Sequence, residues 1–340
     1  NVVNGQGGLE HKNSTTLSVN RWTYGGANYV KFLSLVAHEY FHLWNVKRIR
    51  PFELGPFDYN AENYTDLLWV MEGFTSYYDE LLLLRSGYYS QSEFIAKLES
   101  SINYVEGSVG SRVQPVAHAS YDAWIKAYRP NENSANTTMT YYTRGSILAA
   151  FLDVMIIRNS KGQKGLDHFL QQLYQKFYLN QNRGFTSSEF KTELEGFVGE
   201  NLDSFYEKYI DGTEIPAYDD LFSKMGVQVT DVTATNADFG ATLRSVSGNA
   251  VISKIRSNSA AEDAGLSVND EIIGCNGYRV TKSDIVGLMK SLENGDEVDL
   301  LISRDEILFS VTFTMTNYTK PRYLLNLLNE ENKLRAYWLR

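Results

Sequence analysis

The sequence predicts an α+β protein in which a mostly helical domain with a β edge is followed by a small β-rich domain. Three observations predict it. Up to about residue 220, Leu, Tyr and Phe recur at helical spacing with few turn signals. From about Gly226 to Tyr318, short β-branched runs alternate with Gly, Asn and Asp. Between the two textures, Asp211-Gly212-Thr213-Glu214-Ile215-Pro216 reads as a linker. A chain of 340 residues is long enough for one large and one small core.

Residues 1–25 are Gly-rich and then reach Thr16-Leu17-Ser18-Val19, which reads as a strand pair. The helical domain is expected over 26–220. Its first helix runs from Ala27 to about Val46, with Val30, Leu33, Val36, Ala37, Tyr40, Phe41 and Trp44 as the apolar set. Ser90-Gln91-Ser92-Glu93 and Thr186-Ser187-Ser188-Glu189 are capping boxes that open two more helices. Tyr141 to Ile157 and Leu166 to Phe177 complete the set. The small domain, 221–318, has strand runs at Val227 to Val232, Ala250 to Ile255, Glu297 to Ile302 and Leu308 to Thr314. Segment 319–340 is expected as a C-terminal helix, from about Arg322 to Trp338, packing Leu324, Leu325, Leu328 and Leu334 on the body.

Composition narrows the function. Lys+Arg 32 against Asp+Glu 41 gives a net charge of −9, so the basic footprint of a nucleic-acid binder is missing. No apolar run approaches the length of a membrane span. The single cysteine, Cys275, rules out a disulfide framework or a thiolate metal cluster within the chain. A metal would have to be held by carboxylates and by the five histidines, His11, His38, His42, His118 and His168. The first residue is Asn1, with no charged stretch leading into an apolar one, and the sequence assigns no compartment.

The sharpest motif is His38-Glu39-Tyr40-Phe41-His42. On a helix, residues i and i+4 project from one face, so both imidazoles reach one metal while Glu39 stands where a carboxylate accepts a proton from water. One Zn2+ per chain suits three protein ligands and an open position. Glu72, in Trp69-Val70-Met71-Glu72-Gly73-Phe74-Thr75, is the candidate third ligand, because an acid in an apolar stretch needs a partner. Its alternative is a cap or an ordinary ion pair. Asp79, seven residues on and on the same helical face, is placed to orient a ligating histidine.

The run His38-Glu39-Tyr40-Phe41-His42-Leu43-Trp44-Asn45-Val46-Lys47-Arg48-Ile49-Arg50-Pro51, with Glu72-Gly73-Phe74-Thr75-Ser76-Tyr77-Tyr78, closely resembles the bacterial glycyl aminopeptidase family. These are PDZ-bearing zinc peptidases of the glutamate-ligand class and distant cousins of aminopeptidase N. The long interval between His42 and Glu72 is similar to that branch of the family. Ser259-Ala260-Ala261-Glu262-Asp263-Ala264-Gly265-Leu266 and Asn269-Asp270-Glu271-Ile272-Ile273 resemble a PDZ core. The resemblance implies a thermolysin-like catalytic domain followed by a PDZ-like domain. It also implies that residues 1–25 are the last edge of a leading β domain, or a substrate-binding edge. The family is bacterial, and the choice between cytoplasm and periplasm stays open.

The resemblance assigns further roles. Gly7-Gly8-Leu9-Glu10 looks like the family's substrate-binding strand, with Glu10 on the substrate α-amine and the backbone at Gly7 and Gly8 on its main chain. His11 departs from the cousins' asparagine. Tyr142-Thr143-Arg144-Gly145 resembles the element whose phenol donates to the tetrahedral oxyanion, with Tyr142 preferred over its neighbour Tyr141. Trp44 and Arg48-Ile49-Arg50 are family signature, expected to pack and to pair internally. Phe239-Gly240-Ala241-Thr242 is the expected carboxylate loop of the PDZ-like domain, with Phe239 and Gly240 as its binding residues, and would take a peptide C-terminus.

The expected function is removal of small N-terminal residues, Gly or Ala, from peptides by zinc-activated water. Two others compete: a zinc endopeptidase, and a PDZ adaptor carrying an inactive peptidase domain.

Overall fold

The computed structural model describes residues 5–340; residues 1–4, part of the expected N-terminal edge, lie outside the described residues. A two-stranded ribbon comes first, β1 (Gln6–Glu10) antiparallel to β2 (Thr15–Val19). The helices of the larger part are α1 (Ala27–Phe41), α2 (Leu68–Arg85), α3 (Gln91–Glu106), α4 (Val116–Tyr121) and α5 (Ser134–Thr137). They are followed by α6 (Tyr141–Asn159), α7 (Leu166–Leu173), α8 (Ser187–Val198), α9 (Asp203–Phe205) and α10 (Tyr218–Phe222). The capping boxes at Ser90 and Thr186 open α3 and α8 as their sequences predict. α2 has no local cap, and the Ser120 hydroxyl of α4 accepts from the Trp69 N–H at 3.0 Å instead.

Helices α2 and α6 form the centre of this part, and two glycines set their spacing. A Cβ on Gly73 would fall 2.4 Å from the Gly145 Cα, and one on Gly145 would fall 2.4 Å from the Trp69 carbonyl oxygen. The two backbones therefore touch at the turn that carries Glu72. Around this contact lies an apolar core including Trp69, Phe74, Leu81, Leu148, Leu152, Phe169 and Phe190.

The second part is a six-stranded antiparallel sheet in the order β10-β9-β7-β6-β5, with β8 on β7. Its strands are β5 (Ala241–Val246), β6 (Asn249–Ile255), β7 (Glu271–Cys275), β8 (Tyr278–Arg279), β9 (Glu297–Arg304) and β10 (Ile307–Thr314). With α11 (Ala260–Asp263) and α12 (Lys282–Ser291), it encloses a separate core of Phe239, Ile252, Ile272, Ile285, Val298 and Phe313 among others. Two ribbons lead in and out: β3 (Val227–Asp231) pairs with β12 (Tyr323–Leu327), and β4 (Ala234–Asp238) with β11 (Thr316–Lys320).

The C-terminal segment differs from the expected helix. Tyr323–Leu327 is a strand, and only α13 (Lys333–Trp338) is helical. The physical reason is that three partners compete with the local leucine spacing. β3 pairs with one edge of β12. On α3, the Asn103 amide accepts from the Tyr323 N–H at 2.7 Å and donates to its carbonyl at 2.8 Å, while Glu99 accepts from the Leu325 N–H at 2.8 Å. Side chains of a helix thus satisfy the strand's second edge. Val227 and Leu325 belong to the larger core, so the chain enters and leaves the small sheet through a ribbon seated on the helical part.

The tail still packs on the body. Trp338 is fully buried, donates from Nε1 to the Tyr77 hydroxyl at 2.8 Å and stacks on Phe222 at 5.8 Å. Trp338→Ala will therefore lower the unfolding free energy by about 3–5 kcal/mol in a denaturant titration, and Trp338→Phe will lower it by less.

Candidate active site

Three side chains from two helices converge. His38 and His42 lie at the C-terminal end of α1, and Glu72 lies one turn into α2. Their ligand atoms are all within 4.8 Å of one another. Glu72 Oε2 lies 3.2 Å from His38 Nε2 and 3.3 Å from His42 Nε2. Both Nδ1 atoms are committed to acceptors, His38 to Asp79 Oδ2 at 3.0 Å and His42 to the Asn45 carbonyl at 2.7 Å. An acceptor at Nδ1 holds the proton there and leaves Nε2 to face the shared space.

Electrostatics follow from this packing. Burial disfavours the charged form of His38, yet the hydrogen bonds and charges of Asp79 and Glu72 outweigh it and raise its pKa to about 10. For His42, Glu72 likewise outweighs burial, and the pKa rises. Burial pushes Glu72 up, but the two histidines pull it down to about 2. Asp79 is carried up to about 7 by burial, against the opposing pull of His38. A half-buried anion between two imidazoles that face it is the arrangement a divalent cation would relieve, by replacing the two Nε2 protons.

Glu39 is buried beside this set, and its Oε2 has no hydrogen-bond partner among the described residues. Burial raises its carboxyl above the ordinary value, with Glu10 and Glu72 adding to the rise and His42 and His38 opposing it. Strand β1 crosses directly over it. A Cβ on Gly8 would fall 2.2 Å from the Glu39 carboxylate, so any larger residue there would displace the Glu39 side chain. Gly7 has open space around it. Glu10 lies close to Glu39 and His42, and its Oε1 pairs with Lys47 Nζ at 2.8 Å.

Tyr142 opens α6 and stacks on His38, with ring centroids 6.2 Å apart. Burial first, and then the Glu72 charge, hold its phenol well above the ordinary value, so it keeps its proton. Tyr141 is more deeply buried, and the Tyr128 hydroxyl lies 3.3 Å from the Tyr141 hydroxyl and 3.4 Å from that of Tyr142. In the small domain, the Phe239 ring stacks on Phe313 at 5.2 Å inside the core. Gly240 turns the corner before β5, and its carbonyl accepts from the Arg256 N–H at 2.8 Å.

Several supporting residues escaped sequence reading. Asn45 is fully buried and donates to the Val70 and Met71 carbonyls, which ties the end of α1 to α2. α1 consequently ends at Phe41, short of the expected Val46, as the chain turns to bring Asn45 inward. Arg48 and Arg50 donate to carbonyls rather than to carboxylates. Arg48 reaches the Lys12 carbonyl at 3.0 Å and Asn13 at 3.1 Å, pinning the β1–β2 turn over the site. Arg50 bonds the Gly55 carbonyl. Arg144 is buried between Glu106, 3.4 Å away, and the Glu214 carbonyl at 2.8 Å, so the basic residue beside Tyr142 fastens the linker.

Residues 31–148 match the M61 glycyl aminopeptidase family and residues 223–314 match the PDZ domain, so the chain carries a peptidase domain of that family followed by a PDZ domain. No curated protein matches the chain. Among solved structures, an aminopeptidase N family protein from Idiomarina loihiensis is similar over 100% of this chain, at 28% identity and a TM-score of 0.86. The chain spans 61% of that protein's length. The PDZ domain of a carboxy-terminal protease from Vibrio cholerae, solved with a peptide, aligns with 25% of this chain and 98% of its own, at 22% identity and a TM-score of 0.23. No helix among the described residues is long and apolar enough to cross a membrane.

In the metal-free protein, an NMR titration of the imidazole carbons will show His38 still protonated well above pH 7, with its pKa near 10. Asp79→Asn removes one of the two groups that raise it and will bring the pKa down towards 6.5.

Proposed function

We propose that this peptidase is a zinc aminopeptidase that removes small N-terminal residues, Gly or Ala, from peptides. The observation that carries the reading is the donor set: two imidazole Nε2 atoms and one carboxylate, converging beside a buried glutamate with an unpartnered oxygen. Nitrogen and oxygen donors of this kind, three in number, fit catalytic zinc. His38, His42 and Glu72 would hold it, with Asp79 and the Asn45 carbonyl orienting the two rings. When bound, zinc supplies Lewis-acid polarisation of the scissile carbonyl and lowers the pKa of water.

The remaining chemistry belongs to the chain's own residues. Glu39 accepts a proton at its free Oε2 from the attacking water and passes it to the leaving amine. A carboxyl raised by burial is suited to both halves of that transfer. Tyr142 keeps its phenolic proton and offers it to the oxyanion on the face of His38. Glu10 binds the substrate α-ammonium. Lys47 engages its Oε1 at 2.8 Å, so the substrate ammonium would be taken by the other carboxylate oxygen. The small-residue preference rests on the family match, and β1 lying close over Glu39 is consistent with it.

Zinc-loaded protein will hydrolyse glycine and alanine chromogenic amides, will not hydrolyse their N-acetylated forms, and will lose activity on chelation. Glu39→Gln will keep its zinc and lose about 10²–10⁴-fold in kcat. Glu10→Ala will act mainly through KM and narrow the preference for the free amine. Cleavage of N-acetylated and free substrates at equal rates would overturn the aminopeptidase reading in favour of an endopeptidase.

Tyr142→Phe tests the oxyanion donor. It will lower kcat by about 10²–10³-fold with KM little changed, and the same substitution at Tyr141 will cost much less.

A further inference from the structure

Resting on the aminopeptidase reading, we propose that the cavity between the peptidase and PDZ domains is a subsite for the C-terminal carboxylate of a short peptide substrate. The cavity holds about 950 Å³. One wall carries Tyr128, Tyr141 and Tyr142, and the Tyr142 ring stacks on His38, so Tyr142 links the cavity to the candidate site. The far wall is the small sheet.

The part of the sheet that faces the cavity is set by strand register. Thr242 of β5 pairs with Lys254 of β6, and both line the cavity. The next pair, Leu243 and Ile252, is buried in the PDZ core. The wall is therefore the outward face of β5 and β6. The cavity also reaches Gly240 of the expected carboxylate loop, but Lys254 stands on this face and not at the free edge of β5, through which a PDZ domain adds a peptide strand. The interface is held in place by Asn136, whose amide donates to the Ile255 carbonyl at 2.8 Å and accepts from the Ser257 N–H at 3.0 Å.

Three cations line this space. Arg256 is occupied, bonded to Asp238 at 2.7 Å and lying 3.6 Å over the Tyr318 ring. Lys254 and Lys320 are exposed and form no ion pair among the described residues. Lys320 lies along the end of α3, where a Cβ on Gly107 would meet its Cε at 3.2 Å. The cavity also contains one acid, Glu132, on the peptidase side. The chain carries a net charge of −9, so two unpaired lysines at a cavity that shares Tyr142 with the candidate site run against the charge of the whole. A peptide held by its α-ammonium at Glu10 brings its own anion, the terminal carboxylate, at the other end. The lysines recognise that anion by charge-assisted hydrogen bonds, and the length of the cavity then selects short peptides.

The test compares alanine-initiated peptides from dipeptide to hexapeptide, each as free acid and as C-terminal amide, with the zinc-loaded protein. At the fitting length the acid will exceed the amide by about tenfold in kcat/KM, chiefly through KM. A Lys254→Ala, Lys320→Ala double variant will bring that ratio towards one, and Lys254→Arg, Lys320→Arg will restore most of it. Equal hydrolysis of acid and amide at every length would overturn the subsite and leave the aminopeptidase reading standing. A preference that persists in the double alanine variant would also overturn it, as would one reproduced by an amidated peptide with an internal Asp. If no peptide is cut in either form, the aminopeptidase reading falls, and the subsite falls with it.

Discussion

A carboxylate inside an apolar helix is the constraint on which the rest depends. Glu72 is flanked by Trp69, Val70, Met71, Gly73 and Phe74, all buried. A charge in such surroundings is strongly destabilising unless something compensates it. The compensation comes from His38 and His42, whose Nε2 atoms meet one of its oxygens. That meeting requires α1 to end against α2, which Asn45 secures through the Val70 and Met71 carbonyls and Phe41 secures by stacking on Tyr78 at 4.4 Å. It also requires α2 to sit hard against α6, which Gly73 and Gly145 allow. The same contact brings Tyr142, three residues before Gly145, onto the face of His38.

The second arrangement joins the site to the small domain. Arg144 sits between Tyr142 and Gly145 in the chain, yet it serves the linker, holding the Glu214 carbonyl while Glu106 offsets its charge. Tyr218, beyond the linker, bonds the same Glu106. The ribbon of β3 and β12, seated on α3, and the Asn136 clamp on β6 add two more attachments. The PDZ domain is therefore fastened to the peptidase domain at several points, and residues of both line the cavity between them.

Much of the convergence at the candidate site was legible because helical periodicity brings i and i+4 to one face without help from the rest of the fold. His38 and His42 follow from that rule alone. Glu72 follows from the cost of burying an acid, and Asp79 from its place two turns further along α2. Tyr142 needed the family resemblance, since the chain has 23 tyrosines and its neighbour Tyr141 stacks on it at 4.8 Å. The ion pair of Glu10 with Lys47 and the anchoring by Asn45 were hidden, because they join segments whose approach only tertiary packing decides. The C-terminal strand was hidden for a similar reason. Leu324, Leu325 and Leu328 suit a helix and a strand equally, and the deciding groups, Asn103 and Glu99, lie on a helix far back in the sequence.

The most direct test of this account is the zinc content per chain, by mass spectrometry, of wild type and Glu72→Gln after zinc loading and exhaustive dialysis. The account predicts one zinc per wild-type chain and its loss in Glu72→Gln, with both proteins folded by circular dichroism. Folded wild type that retains no zinc, or a Glu72→Gln variant that retains one per chain, would contradict the claim that His38, His42 and Glu72 form a metal centre.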